Sequence, residues 1–152
     1  MRKLSIIVLI MMLTLPLAGP ATSDGPQECE TVVKQCVAMF QAQGREAALK
    51  AINDPKGTFV KGDLYAFALN MDNKMLAHPH DKKILHLSMS NIVDANGERF
   101  FGKFKEVVEK QGSGWVEYTW AKPGEEGAKR KKSYIMKVPG EEMYVGAGYY
   151  PK

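Results

Sequence analysis

Apolar and polar positions along this chain change period several times, and each change marks an element. Within residues 28–43, Cys29, Val33, Cys36 and Phe40 recur at i, i+4, i+7 and i+11, the stripe of a helix that Gly44 ends. Residues 45–52 read as a shorter continuation, and Asn53-Asp54-Pro55-Lys56-Gly57 is a turn. Leu64, Tyr65, Phe67 and Leu69 then form an apolar and aromatic run of strand length. Asn70-Met71-Asp72-Asn73-Lys74 carries turn chemistry and Met75-Leu76-Ala77 opens a second run, so 63–79 is a β-hairpin. Pro79 stops it, having no amide hydrogen for the ladder and holding its predecessor extended. His78 is left as the last strand residue, at the rim of a sheet.

Residues 80–91 have weak periodicity and read as a loop with at most a turn of helix. Asp94-Ala95-Asn96-Gly97 is a turn into a helix over 98–110, whose Phe100, Phe101, Phe104, Val107 and Val108 share one side. Three strands follow at 115–120, 133–138 and 143–149, joined by a polar loop at 121–132 and a turn at Pro139-Gly140-Glu141-Glu142. The economical packing is α+β: a five-stranded antiparallel sheet with the long N-terminal helix on one face.

The first residues obey a different rule. Arg2-Lys3 precede an apolar run from 4 to 17, and small residues follow it. Fourteen helical residues cover roughly 21 Å, short of a hydrocarbon core of roughly 30 Å, so the run reads as a signal peptide over 1–21 rather than a membrane span. No cysteine closes it, against a lipoprotein. Residues 22–152 are then a single exported domain, and the composition, 45% apolar with 25% charged, is that of a globular protein with a real core.

Loss of 1–21 removes two positive charges and lowers the net charge from +4 to +2. So small a charge does not point to nucleic acid. The run Lys129-Arg130-Lys131-Lys132 reads first as a solvated loop or a gatekeeper beside a strand. Cys29 and Cys36, seven residues apart on one helix, have Cα atoms about 10.5 Å apart along the axis, beyond the roughly 7 Å reach of a disulfide. They are expected to be unbridged to each other in the folded monomer, as small core hydrophobes; an intermolecular or locally distorting bridge and redox or metal chemistry are the alternatives.

Several motifs in order carry a resemblance: Gly62-Asp63-Leu64-Tyr65-Ala66-Phe67, Leu76-Ala77-His78-Pro79, Asp94-Ala95-Asn96-Gly97, Gly114-Trp115-Val116-Glu117-Tyr118-Thr119-Trp120, Lys131-Lys132-Ser133-Tyr134 and Val145-Gly146-Ala147-Gly148-Tyr149. Across 28–150 the chain resembles the single Cache domain, the extracytoplasmic sensor module of bacterial chemoreceptors and histidine kinases. The resemblance implies a PAS-like fold and a ligand of the short carboxylate class: acetate, propionate, pyruvate or lactate. The chain departs from the family in having Ile84-Leu85-His86-Leu87-Ser88 where Gly-Lys-Asn usually follows the His-Pro loop. It ends at Lys152 without a second span or output domain, so a stand-alone exported protein is expected.

Nothing in the residues calls for catalysis or a cofactor. No nucleophile elbow, triad arrangement, Walker loop or dinucleotide fingerprint is present. His78, His80, Asp81 and His86 form the one metal-like cluster, but Pro79 distorts it and the spacing matches no known site, so no metal is assigned. A small carboxylate needs a cation and directional donors. Lys131 matches the family's lysine, with Lys132 the alternative because a one-residue register change reverses which side chain faces inward. His78, Tyr118 and Tyr134 supply donors, and Phe67, Trp115 and Trp120 supply apolar walls. The expected function is a periplasmic small-acid binding or sensing domain that serves a membrane sensor kinase, chemoreceptor or transporter. The alternative is a non-liganded accessory domain docking on such a partner.

The length and flanks of the apolar run place the mature N-terminus between Thr22 and Asp24. Intact mass of chain recovered from a periplasmic extract should start there; recovery with Met1, or only with membranes, would refute export and release.

Overall fold

The computed structural model describes residues 25–152, so the leader lies outside the described residues. Two helices open the domain, α1 (Gly25–Gln43) and α2 (Arg45–Ile52), separated by Gly44 at φ 84°. α1 starts three residues earlier than the apolar stripe indicates, because Pro26 is tolerated in a first turn whose amides have no intrahelical partner. Gly25 lies so near the Tyr149 ring that a Cβ would sit 2.7 Å from Cδ2, which lets the start of the helix lie on the sheet.

The strands are β1 (Val60–Lys61), β2 (Leu64–Asn70), β3 (Met75–Ala77), β4 (Ser113–Ala121), β5 (Ala128–Lys137) and β6 (Met143–Tyr149). A single 3₁₀ turn, Lys82–Ile84, and α3 (Phe100–Gln111) lie between β3 and β4. Among the described residues the sheet has six strands, all pairings antiparallel, in the order β1-β2-β6-β5-β4 with β3 also on β2. The five strands read from sequence are all there. β1 is additional; two residues are too few to show a period, and it exists because Gly62, at φ 62°, starts a two-residue turn that pairs Lys61 with Leu64.

β2 and β6 lie inside the sheet and bury both faces. Their alternation sorts side chains between two cores. Leu64, Ala66, Ala68, Met143, Val145 and Ala147 join Cys29, Val33 and Cys36 under α1. Tyr65, Phe67, Leu69 and Tyr144 join Phe100, Phe101 and Phe104 under α3. Cys29 and Cys36 are fully buried free thiols, as their places on one helix require.

Three sequence boundaries are corrected. The hairpin strand ends at Ala77, one residue before His78. α3 begins two residues late, because Asp94 Oδ1 accepts the amides of Asn96 and Glu98 at 2.8 and 3.0 Å and holds Glu98 in the turn. The polar loop at 121–132 is the largest change: β5 starts at Ala128, so the basic run is strand, not loop. Arg130 and Lys132 pair with Glu117 of β4 at 3.0 and 3.1 Å, while Lys131 between them turns to the other face. Charge on both outward positions hid the period.

Gly146 and Gly148 of β6 face the α3 side opposite Phe67 and Tyr65. A Cβ on Gly146 would collide with the Phe67 ring and approach Ile135 to 2.8 Å. Gly146→Ala should therefore cost about 1–3 kcal/mol of stability by overpacking. Gly102→Ala in α3, where a Cβ meets nothing within 4 Å, should instead be neutral or stabilising by up to about 1 kcal/mol. Urea melts of the two variants measure the contrast; equal effects would show that the close approach at Gly146 does not constrain the sheet.

Candidate functional site

The α3 side of the sheet encloses a small chamber lined by Tyr65, Phe67, Met75, His78, Phe100, Phe101, Phe104, Tyr118, Trp120 and Lys131. Each element reaches it by the rule that forms the element. Tyr65 and Phe67 are two apart on β2, and Tyr118 and Trp120 two apart on β4, so each pair shares a face. Lys131 is opposite Tyr118 on β5. Phe100, Phe101 and Phe104 close the chamber from α3; the Phe100 ring stacks on Tyr118 with centroids 4.2 Å apart.

Lys131 is the unusual member. Its side chain is 1% exposed. It crosses β6 at Gly148, where a Cβ would stand 2.5 Å from Lys131 Cε. Nζ comes to rest 3.6 Å from the Tyr65 ring centroid, 5.3 Å from that of Tyr150 and 5.6 Å from that of Phe67. Arg130 and Lys132 have Glu117, but among the described residues no carboxylate forms an ion pair with Lys131. Burial pushes its pKa well below the ordinary lysine value.

His78 sits beside it, buried, just beyond the end of β3. Its backbone N–H donates to Asn53 Oδ1 at 3.0 Å, and the Asp81 amide donates to its Nδ1 at 3.0 Å. An Nδ1 that accepts puts the proton of the neutral ring on Nε2, leaving that atom as donor. Burial above all lowers the His78 pKa from 6.5 to about 3. Its ring is edge-on to Tyr65, centroids 5.0 Å apart. Tyr118 OH and Ser133 Oγ are 3.0 Å apart, and burial raises the Tyr65 and Tyr118 pKa values, so both remain phenols.

Space inside the chamber for the centre of a water-sized sphere is about 10 Å³, room for about one water. A second cleft of about 240 Å³ adjoins it, lined by Tyr65, His78, His80, Asp81, Trp120, Ala121, Lys122 and Pro123. Tyr65, His78 and Trp120 line both.

Five of the seven residues named from sequence, Phe67, His78, Tyr118, Trp120 and Lys131, meet in this chamber. Trp115 and Tyr134 do not, and their assignment to one site with the others is corrected. Both face α1, their rings 5.3 Å apart, with the Tyr134 hydroxyl donating to Ser113 Oγ at 2.9 Å. They are an odd number of residues from Tyr118 and Lys131 on the same strands, and a strand sends such positions to opposite faces. Lys132 is on that outer face for the same reason. Tyr65, Met75 and the three phenylalanines of α3 were not named. The two-residue step from Phe67 to Tyr65 was the available signal, whereas nothing local shows that α3 covers this side. Among the described residues no three His, Cys, Asp or Glu side chains converge to hold a metal.

The model of the family Single Cache domain 2 matches residues 31–152. The methyl-accepting chemotaxis protein McpP of Pseudomonas putida is 31% identical over 88 residues, 58% of this chain and 16% of that protein. The matched stretch thus spans about one sixth of the curated relative. Among solved structures, a periplasmic sensor domain of a chemotaxis protein superposes with a TM-score of 0.68 at 26% identity, covering 81% of this chain and 88% of the other. A Cache chemosensory domain solved for carboxylic acid recognition superposes at 0.66 with 24% identity, covering 81% and 86%. A methyl-accepting chemotaxis protein from Vibrio parahaemolyticus gives 0.71 at 16% identity over 82% and 87%; these last two share the fold.

The neutral, buried His78 sets a pH dependence. An unfolded histidine takes up its proton near 6.5, and the folded one refuses it until about 3. The unfolded state therefore binds more protons across that window, and stability present at neutral pH is lost as the pH falls through it, by up to about 1.4 kcal/mol per pH unit. Thermal melts from about pH 7 to about pH 4 should show a steeper loss for the parent than for His78→Gln; parallel curves would mean that the ring is protonated inside the fold.

Proposed function

The chain belongs to the single Cache domain family, and on that premise we propose that its inner chamber binds a short-chain carboxylate such as acetate, propionate, pyruvate or lactate outside the cytoplasm, for sensing by a membrane protein. The observation that carries this reading is Lys131: a buried basic side chain aimed into a chamber, with no carboxylate paired to it among the described residues. Burying a charge without a partner costs several kcal/mol, and an anion from solution is the partner that this chamber can accept. Nε2–H of His78 and the Tyr118 hydroxyl add directional donors, and Phe67, Phe101 and Phe104 face the small apolar end.

The acid enters through the outer cleft. Because the chamber as folded has room for about one water, occupancy requires the half-buried Trp120 to move aside and Nζ of Lys131 to leave the Tyr65 ring for the carboxylate. Binding and a local rearrangement of β4 and β5 are therefore one event, the property that a sensor needs. No step of this scheme uses bond chemistry, so the domain is read as a binding module rather than an enzyme.

A thermal-shift screen of two- to four-carbon acids, followed by titration calorimetry, tests the proposal. An acid at 100 times its dissociation constant should add about 2.7 kcal/mol of stability. Lys131→Ala should lose about 2–5 kcal/mol of binding, some 30-fold to several thousand-fold. Lys132→Ala, Lys129→Ala and Tyr134→Phe should bind like the parent. A flat screen would leave the accessory docking domain as the standing interpretation.

A further inference from the structure

We propose that the chamber captures its acid together with one proton: the Lys131 amine is uncharged in the free protein and becomes an ammonium only when the carboxylate is seated beside it. This rests on the reading of the chamber as a carboxylate site and adds the protonation state in which the site waits. The geometry carries it. Nζ is enclosed by the rings of Tyr65, Tyr150 and Phe67, and the residue is 1% exposed.

Each element around Nζ offers groups that are neutral near pH 7. From α1 comes the Cys29 thiol, whose pKa burial pushes up to about 12. Tyr65 of β2 and Tyr118 of β4 are held as phenols by burial. Burial likewise raises the pKa of Tyr150, beyond β6, to about 12, and that of Tyr118 beyond the usual range. His78 and His80, which follow β3, are lowered above all by burial. α3 presents only the phenylalanines Phe100, Phe101 and Phe104 to the chamber.

The charges nearest the mouth are already engaged. Lys122 binds Asp63 at 3.3 Å and Glu125, and the Asp81 carboxylate accepts the Lys83 amide at 2.9 Å. A charged Lys131 would thus be a lone ion facing rings and neutral polar groups. The ring faces attract an ammonium, but they do not replace its hydration. When an acid arrives, its proton moves from the carboxyl oxygen to Nζ, or the anion enters and Nζ takes a proton from a buffer acid in the solvent, which is left as its conjugate base; either route ends in the same carboxylate–ammonium pair. No other bond changes.

The consequence is a proton-linked affinity. Between the pKa of the free amine and that of the paired ammonium, binding takes up one proton, so affinity falls by about tenfold for each unit rise in pH. Short monocarboxylic acids are fully ionised across this range and contribute no slope of their own. His78, lowered to about 3, stays neutral across this range and adds none. The site would therefore respond to a given acid more strongly in acidified surroundings.

The full chain is labelled with ¹⁵N-lysine, and Nζ resonances are followed with pH, Lys131 being assigned by its loss in Lys131→Arg. Acetate and propionate are then titrated by calorimetry at about pH 6, 7 and 8 in buffers of different ionisation heat. Expected are a neutral Nζ at pH 7 in the free protein, uptake of about one proton per acid, an affinity that falls by about tenfold per pH unit wherever the free amine is neutral, and a flat profile for Lys131→Arg, which is always charged. An Nζ that titrates with the exposed lysines, or a parent affinity indifferent to pH, overturns proton capture while leaving the carboxylate site intact. A neutral Nζ with no binding of either acid at any pH overturns the carboxylate reading, and proton capture with it.

Discussion

A strand buried on both faces must satisfy two unrelated cores with one alternating sequence, and β2 and β6 impose that constraint on the whole domain. Leu64, Ala66 and Ala68 are small enough to let α1 approach, while Tyr65, Phe67 and Leu69, one step out of phase, reach the α3 side. β6 answers with Val145 and Ala147 toward α1, and with two glycines toward α3. A slip of one residue in β2 would place Tyr65 and Phe67 under α1 and close the chamber, and a slip in β6 would turn Val145 and Ala147 toward α3. The register is thus held by burial on both sides at once.

The glycines on β6 do more than relieve crowding. With no side chain at Gly148, the Lys131 stem can cross a neighbouring strand within the buried layer and deliver its amine to Tyr65. Gly146 similarly lets the Phe67 ring lie flat, 5.8 Å from that of Phe104. Function and packing meet at these positions, since the space that the sheet leaves open is the space that the polar end of the chamber occupies.

Polarity is distributed within the chamber in a way that favours an anion. His78 is held by two hydrogen bonds, of which the one its Nδ1 accepts from the Asp81 amide settles the tautomer, Tyr118 is anchored by Ser133, and Lys131 alone has no partner of opposite charge among the described residues. Outside, the same strand is ordinary: Arg130 and Lys132 form exposed pairs with Glu117, of a kind worth about 0–1 kcal/mol. Three consecutive basic residues therefore have two different roles, divided by the pleat.

The amino-acid sequence by itself determined what depends on neighbours along the chain. The stripe of α1, the turn at Asp94 to Gly97, the hairpin around Asn70 to Lys74 and the halt at Pro79 are local, and so were legible. Motif order also carried the family and the naming of Lys131, His78 and Tyr118. What only the tertiary structure decided is which face each strand turns inward. The start of β5 was hidden because charged Arg130 and Lys132 look like loop until Glu117 of β4 is found beside them. Trp115 and Tyr134 have the right chemistry but the wrong parity, and parity has meaning only once the register between β4 and β5 is set. The α3 wall of Phe100, Phe101 and Phe104 was missed for a related reason: an apolar helix face announces that it is buried, but which layer it covers depends on long-range contacts that no local pattern encodes.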